Sequence, residues 1–155
     1  MNRNIEKVIS APGYVEIKFK KMYDDAVLPS YATKGSACFD IPSYYKVEIL
    51  PGRTEIIGTG LAVEVPNGYM FELRPRSGIS SKGVLLANSP ATIDSDYRGE
   101  IKIIFHNSSR NTFSIYKGDR IVQGRIVELL EVKIVEVERL TETERGEAGI
   151  GSTGR

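Results

Sequence analysis

Residues Leu61–Leu73 read LAVEVPNGYMFEL, and this stretch decides the class of fold. In Leu61–Val65, Leu61, Val63 and Val65 alternate with Ala62 and Glu64, the period of two that a half-buried strand requires. Pro66-Asn67-Gly68 then supplies turn chemistry: proline fixes φ, and asparagine and glycine tolerate positive φ. Met70–Leu73 starts a second strand. The same grammar extends both ways. Tyr14–Lys20 (YVEIKFK) and Tyr45–Ile49 (YKVEI) alternate with period two, and Pro51-Gly52 turns the chain into Glu55–Ile57. Val84–Leu86, Glu100–Asn107, Phe113–Tyr116, Ile121–Val127 and Val132–Val137 are further expected strands, rich in β-branched residues that suit a pleated surface. Only Ser77–Lys82 invites a short helical turn. The reading is all-β, a sandwich or barrel.

Composition narrows the function. With 155 residues, 41% hydrophobic and 26% charged, the chain is long enough for one domain with a real core. Lysine plus arginine (21) nearly cancels aspartate plus glutamate (20), so nothing favours a nucleic-acid or anionic-membrane partner. No apolar run approaches a membrane span, and Met1–Ser10 lacks the apolar centre of a signal peptide, so a cytoplasmic location is expected. One cysteine, Cys38, excludes an internal disulfide. One histidine, His106, serves neither the usual zinc site nor a Ser-His-Asp triad, and its place at the end of an apolar run favours a structural role. Chemistry here falls to carboxylates, arginines and a bound metal.

Four segments between or after strands carry such groups. Arg74-Pro75-Arg76-Ser77-Gly78 offers guanidinium forks, a hydroxyl and free N–H groups, all suited to phosphate oxygens. Ile93-Asp94-Ser95-Asp96-Tyr97-Arg98-Gly99 and Gly118-Asp119-Arg120-Ile121-Val122-Gln123 each also read as ordinary turns. Thr141–Arg155 (TETERGEAGIGSTGR) reads either as a frayed terminus or as a glycine-rich segment able to close over phosphates. None is a Walker A loop or a GxGxxG fingerprint.

Together these segments resemble the trimeric dUTPase family, whose five motifs occur here in order. Ala32–Asp40 is similar to the first, Arg76-Ser77-Gly78 belongs to the second, and Ala91–Glu100 to the third; Gly118–Gln123 is similar to the fourth, and Arg145–Gly154 to the fifth. The resemblance implies a distorted jelly-roll, or β-clip, subunit over residues 1–140, with 1–13 as an N-terminal extension. It further implies a mobile tail, 141–155, that closes over the active site, and a homotrimer whose three active sites lie at subunit interfaces. The implied reaction is hydrolysis of dUTP to dUMP and pyrophosphate, which limits uracil in DNA and supplies dUMP for dTMP synthesis.

Carried over residue by residue, the resemblance makes Asp94 the carboxylate that activates water for attack on the α-phosphorus. Tyr97 packs on the deoxyribose and leaves no room for a 2′-hydroxyl. Asn88 and the backbone near Ala91, Thr92 and Ile93 read uracil. Cytosine would leave buried polar groups unpaired there, and the methyl of thymine would overpack the hairpin. Arg76, Ser77 and Gly78 bind phosphate, with Gln123 and Arg145 as further catalytic candidates; Lys102 also falls at a substrate position. Ile150, Gly151 and Ser152 belong to the closing tail. Mg2+ is implied, held chiefly by phosphate oxygens and water. Asp40 either reaches that ion through water or caps a turn.

Three residues depart from the family pattern. Cys38 and Ala91 stand where glycine is common, and Ile150 stands where a phenylalanine stacks on uracil. Two alternatives share the fold. dCTP deaminases resemble this chain but carry a catalytic glutamate where it has Ile104. A non-catalytic, dUTPase-like regulatory protein would have no need of Asp94, Tyr97 and the fifth motif.

Overall fold

The structure is a computed structural model that describes residues 13–149. Among the described residues ten strands and one helical turn form: β1 (Lys18–Lys21), β2 (Phe39–Pro42), β3 (Val47–Ile49), β4 (Thr54–Glu64), β5 (Tyr69–Pro75), α1 (Ser77–Ser80), β6 (Val84–Leu86), β7 (Ala91–Ile93), β8 (Glu100–Asn107), β9 (Phe113–Ile115) and β10 (Arg120–Glu128). They make two four-stranded sheets, ordered β1-β4-β8-β6 and β2-β10-β5-β7, and a β3-β9 ribbon, with every pairing antiparallel. The all-β expectation holds. No helix among the described residues is long and apolar enough to cross a membrane.

The alternation read in the sequence is the alternation that builds the core. On β8, Ile101, Ile103 and Phe105 are buried between the more exposed Glu100, Lys102, Ile104 and His106. Ile57, Leu61 and Val63 of β4 join them, and Phe71 and Leu73 of β5 and Ile121 of β10 meet them from the second sheet. Phe19 on β1 ties the layers: its ring lies edge-on to Phe39 and to Phe71, 6.0 Å from each. The Phe71 ring occupies the space over Gly124 of β10, where a Cβ would stand 2.3 Å from it, so that strand position admits only glycine. Asn107 is fully buried and wholly satisfied. Its amide donates to Ile49 O and Asn111 O, and its oxygen accepts from the N–H and hydroxyl of Ser109, which joins β8 to the β3-β9 ribbon.

Several boundaries differ from the sequence reading. Glu55–Ile57 and Leu61–Val65, the latter up to Glu64, are parts of one strand, β4, because Gly60 at φ +67° carries the chain through a register irregularity between Gly58 and Ala62. The expected strand Tyr14–Lys20 begins only at Lys18, where pairing with Glu64 of β4 begins. Phe39–Pro42, which begins in the first motif, and Ala91–Ile93, in the third, are strands that flank the second sheet. Val132–Val137 is not a strand: Val132 is 77% and Ile134 93% exposed. Period-two patterning makes a segment able to pair but does not provide the partner whose hydrogen bonds define a strand.

Candidate functional site

Two separate cavities gather the residues that the motifs singled out. The first, about 190 Å³, lies where β7 turns into β8 and is lined by Thr92, Ile93, Asp94, Tyr97, Glu100, Ile101 and Lys102. The turn that shapes it is tightly bonded: Tyr97 N donates to Asp94 O, and Arg98 donates to the carbonyls of Ser95 and Tyr97. The Tyr97 hydroxyl donates to Glu100 O at 2.9 Å, which folds the ring back over Gly99. Glu100 directs Oε1 to Gly60 N at 2.9 Å, so its carboxylate also braces the β4 irregularity. Asp94 is different. Among the described residues its exposed carboxylate forms no hydrogen bond or ion pair.

The second cavity, about 500 Å³, opens where β5 runs into α1. Arg74, Arg76, Ser77 and Gly78 line one side, Asp40 and Gln123 the floor, and Ala32, Ser36, Ala37 and Cys38 the other side. Cross-strand register creates the floor, since Asp40 on β2 faces Gln123 on β10, which in turn faces Arg74 on β5. The Gln123 amide donates to Pro75 O at 2.9 Å. Asp40 is 7% exposed, and both its oxygens accept from guanidinium groups: Oδ1 from Arg76 Nε at 2.9 Å, Oδ2 from Arg120 at 3.1 Å. Arg76 also donates to Arg120 O, so its fork is held in place. A guanidinium with a fixed plane at a cavity wall suits phosphate oxygens.

The carried-over residues thus divide between two sites. Ala91, Thr92, Ile93, Asp94, Tyr97 and Lys102 cluster at or beside the first cavity, and Arg76, Ser77, Gly78 and Gln123 at the second. Asn88 lies exposed in the turn between β6 and β7 and lines neither. Arg145 is exposed, its Nε donating to Ala148 O. Ile150, Gly151 and Ser152 lie outside the described residues. His106 lies away from both cavities, its Nδ1 3.0 Å from the hydroxyl of Thr54, which faces it across β4 and β8. The sequence placed Arg120 in a turn and in the fourth motif but gave no sign that it pairs with Asp40. Nor did it show the link from Glu100 to Gly60, because both depend on strand register.

The dUTPase family profile matches residues 24–154, nearly the whole chain. The chain belongs to the dUTPase family. The deoxyuridine 5'-triphosphate nucleotidohydrolase of Nautilia profundicola is 48% identical over 142 residues, covering 91% of this chain and 100% of that protein. The dUTPase of Staphylococcus bacteriophage 80alpha, solved with dUPNHPP, superposes with a TM-score of 0.83 at 29% identity over 90% of this chain and 99% of that one. The dUTPase of phage phi11, in which a structural Mg(II) ion is coordinated, superposes with a TM-score of 0.76 at 24% identity, covering 83% of this chain and 100% of its own. The reaction of this dUTPase is hydrolysis of dUTP, in accord with its curated relatives.

Proposed function

We propose that Asp94 is the base of this hydrolysis and that the two cavities are the nucleoside and phosphate halves of one substrate site. A water oriented by Asp94 attacks the α-phosphorus. A new P–O bond forms, the bond from that phosphorus to the bridging oxygen of pyrophosphate breaks, and the water's proton passes to Asp94; the products are dUMP and pyrophosphate. The observation that carries this reading is the free carboxylate of Asp94. Asp40 is committed to two arginines and Glu100 to a backbone N–H, whereas Asp94 keeps its lone pairs for a water. Tyr97 packs against the deoxyribose, and the uncommitted Lys102 beside it offers positive charge.

The residues fit a magnesium ion of the kind that stays largely hydrated. Among the described residues no three acidic, histidine or cysteine side chains group into a protein cage, and an ion held by phosphate oxygens and waters needs none. When bound, it neutralises negative charge on the phosphate oxygens. Asp40, although paired with Arg76 and Arg120, would reach such an ion through a water at the floor of the phosphate half.

The two cavities share no lining residue, which favours a trimer in which one subunit supplies the nucleoside half and its neighbour the phosphate half. The exposed apolar side chains of Leu129, Leu130, Val132, Ile134, Val135 and Val137 supply surface for such an assembly. The tail closes the site, with Arg145 brought to the triphosphate, where fixed charge stabilises the transition state.

The first experiment is pyrophosphate release from dUTP, with ammonia release from dCTP as its control. Asp94→Asn keeps the shape of the side chain, so it should leave dUTP binding largely intact and cut single-turnover hydrolysis by ~10²–10⁴-fold. A folded Asp94→Asn protein that turns over dUTP at the unmodified rate would remove Asp94 from the mechanism.

A further inference from the structure

Beside the arginine pair on Asp40 lies a second arrangement of the same kind. Glu72 of β5 is 6% exposed, and its Oε1 accepts from two arginines at once: Arg74 Nε at 2.5 Å and Arg125 Nε at 2.9 Å. Arg125 faces Glu72 across β5 and β10, and Arg74 follows two residues along β5, so the three side chains share one face of the sheet. Burying a carboxylate is costly unless cations and hydrogen bonds compensate it, and here two guanidiniums do so. The arrangement holds the carboxyl of Glu72 below its ordinary range, the hydrogen bond from Arg74 being the larger cause and Arg125 the next, against the opposing effect of burial.

The consequence for Arg74 is directional. It is bound through Nε alone, which leaves both terminal nitrogens without a partner among the described residues. Its side chain lines the phosphate cavity together with Arg76, Ser77 and Gln123. An arginine on an open surface would sweep solvent; this one is anchored at its inner nitrogen while it lines the cavity. Of the residues that line the cavity, Arg74 and Arg76 set against Asp40 leave a net positive charge, as a polyanion site requires.

We infer that Arg74 binds the phosphate chain of the nucleotide through its terminal nitrogens, and that Glu72 is the positioning residue that aims it. This rests on the assignment of the second cavity as the phosphate half of the site. Arg74 then adds a second guanidinium to the contacts of Arg76 and Ser77, selective for the tri- over the monophosphate.

The test uses the full-length chain with Arg74→Gln, Arg74→Lys, Glu72→Gln and the double variant Glu72→Gln/Arg74→Gln. The affinities of a non-hydrolysable imido analogue of dUTP and of dUMP are measured beside dUTP turnover. Arg74→Gln should weaken the triphosphate analogue about tenfold and leave dUMP within about twofold, because one charge-assisted contact to phosphate is lost. Arg74→Lys should recover part of the loss. Glu72→Gln should show the same triphosphate-selective loss, smaller in size, and the double variant should be no worse than Arg74→Gln alone. Parallel weakening of both nucleotides, or no change, in Arg74→Gln would overturn the inference, and that half-exposed position decides the matter whatever Glu72→Gln does to folding. Absence of pyrophosphate release by the unmodified protein would overturn both this inference and the functional reading. Normal release with an unaltered Arg74→Gln would overturn this one alone.

Discussion

The ring of Tyr97 occupies the space that a side chain at position 99 would need. A Cβ built on Gly99 would stand 2.4 Å from the Tyr97 hydroxyl, which donates to the next carbonyl, Glu100 O. The missing side chain of Gly99 therefore sets where the Tyr97 ring lies.

Sugar selectivity should follow from that contact. Tyr97→Ala removes the ring, and Gly99→Ala pushes it off its seat; both should narrow the preference for dUTP over UTP. A steric discrimination of this kind amounts to ~10–200-fold. Competition kinetics with the two nucleotides measures it, and an unchanged ratio in both variants would mean that the ribose is read elsewhere.

Acid sensitivity should follow from Glu72. Its folded pKa lies below the ordinary glutamate value because Arg74 and Arg125 favour the carboxylate. The stability contributed by this depression is fully present above the unfolded value and is lost as pH falls through the lower, folded value. Urea midpoints taken at about pH 7 and about pH 3 should differ less for Glu72→Gln than for the unmodified chain. Equal differences would show that other carboxylates account for the acid response.

Assembly should depend on the apolar run after β10. Val132 and Ile134 are 77% and 93% exposed in the single chain, an arrangement that water disfavours and a neighbouring subunit would cover. Val132→Asp/Ile134→Asp should reduce the sedimenting species from trimer to monomer and abolish most turnover. A trimer that persists in the double variant would exclude this run from the interface.

The tail should matter for rate and not for folding. The turn at Thr143–Ala148 is held by local bonds, among them Gly146 N to Thr143 O, and its residues are exposed. Deleting Glu144–Arg155 should leave a folded trimer that binds dUTP and turns it over slowly, since the deletion removes Arg145 and the glycine-rich backbone. Ile150→Phe should tighten closure, because stacking on a base is worth ~1–3 kcal/mol in single-strand binding. Turnover and affinity equal to those of the full chain would make the tail a frayed end.

Much of this protein was already written in its sequence. Period-two alternation with turn residues between gave the β class, and the ordered motifs gave the residues around Asp94 and Arg76, because side-chain chemistry and strand periodicity are local properties. Register is not local. The meeting of Asp40 with Arg120 and of Glu72 with Arg125 required β10 to lie between β2 and β5, and neighbours across a sheet leave no mark on sequence spacing. The same cause undid the expected strand at Val132–Val137, whose pattern was right but which pairs with no edge among the described residues. It also fused two expected strands into β4, since whether a glycine ends a strand or bends it depends on the partner strand. The sequence alone settled which groups are available for the chemistry. Only the tertiary structure decided which carboxylates are held by arginines and which, at Asp94, is left open to water, because that depends on backbone hydrogen bonds between segments far apart in the chain.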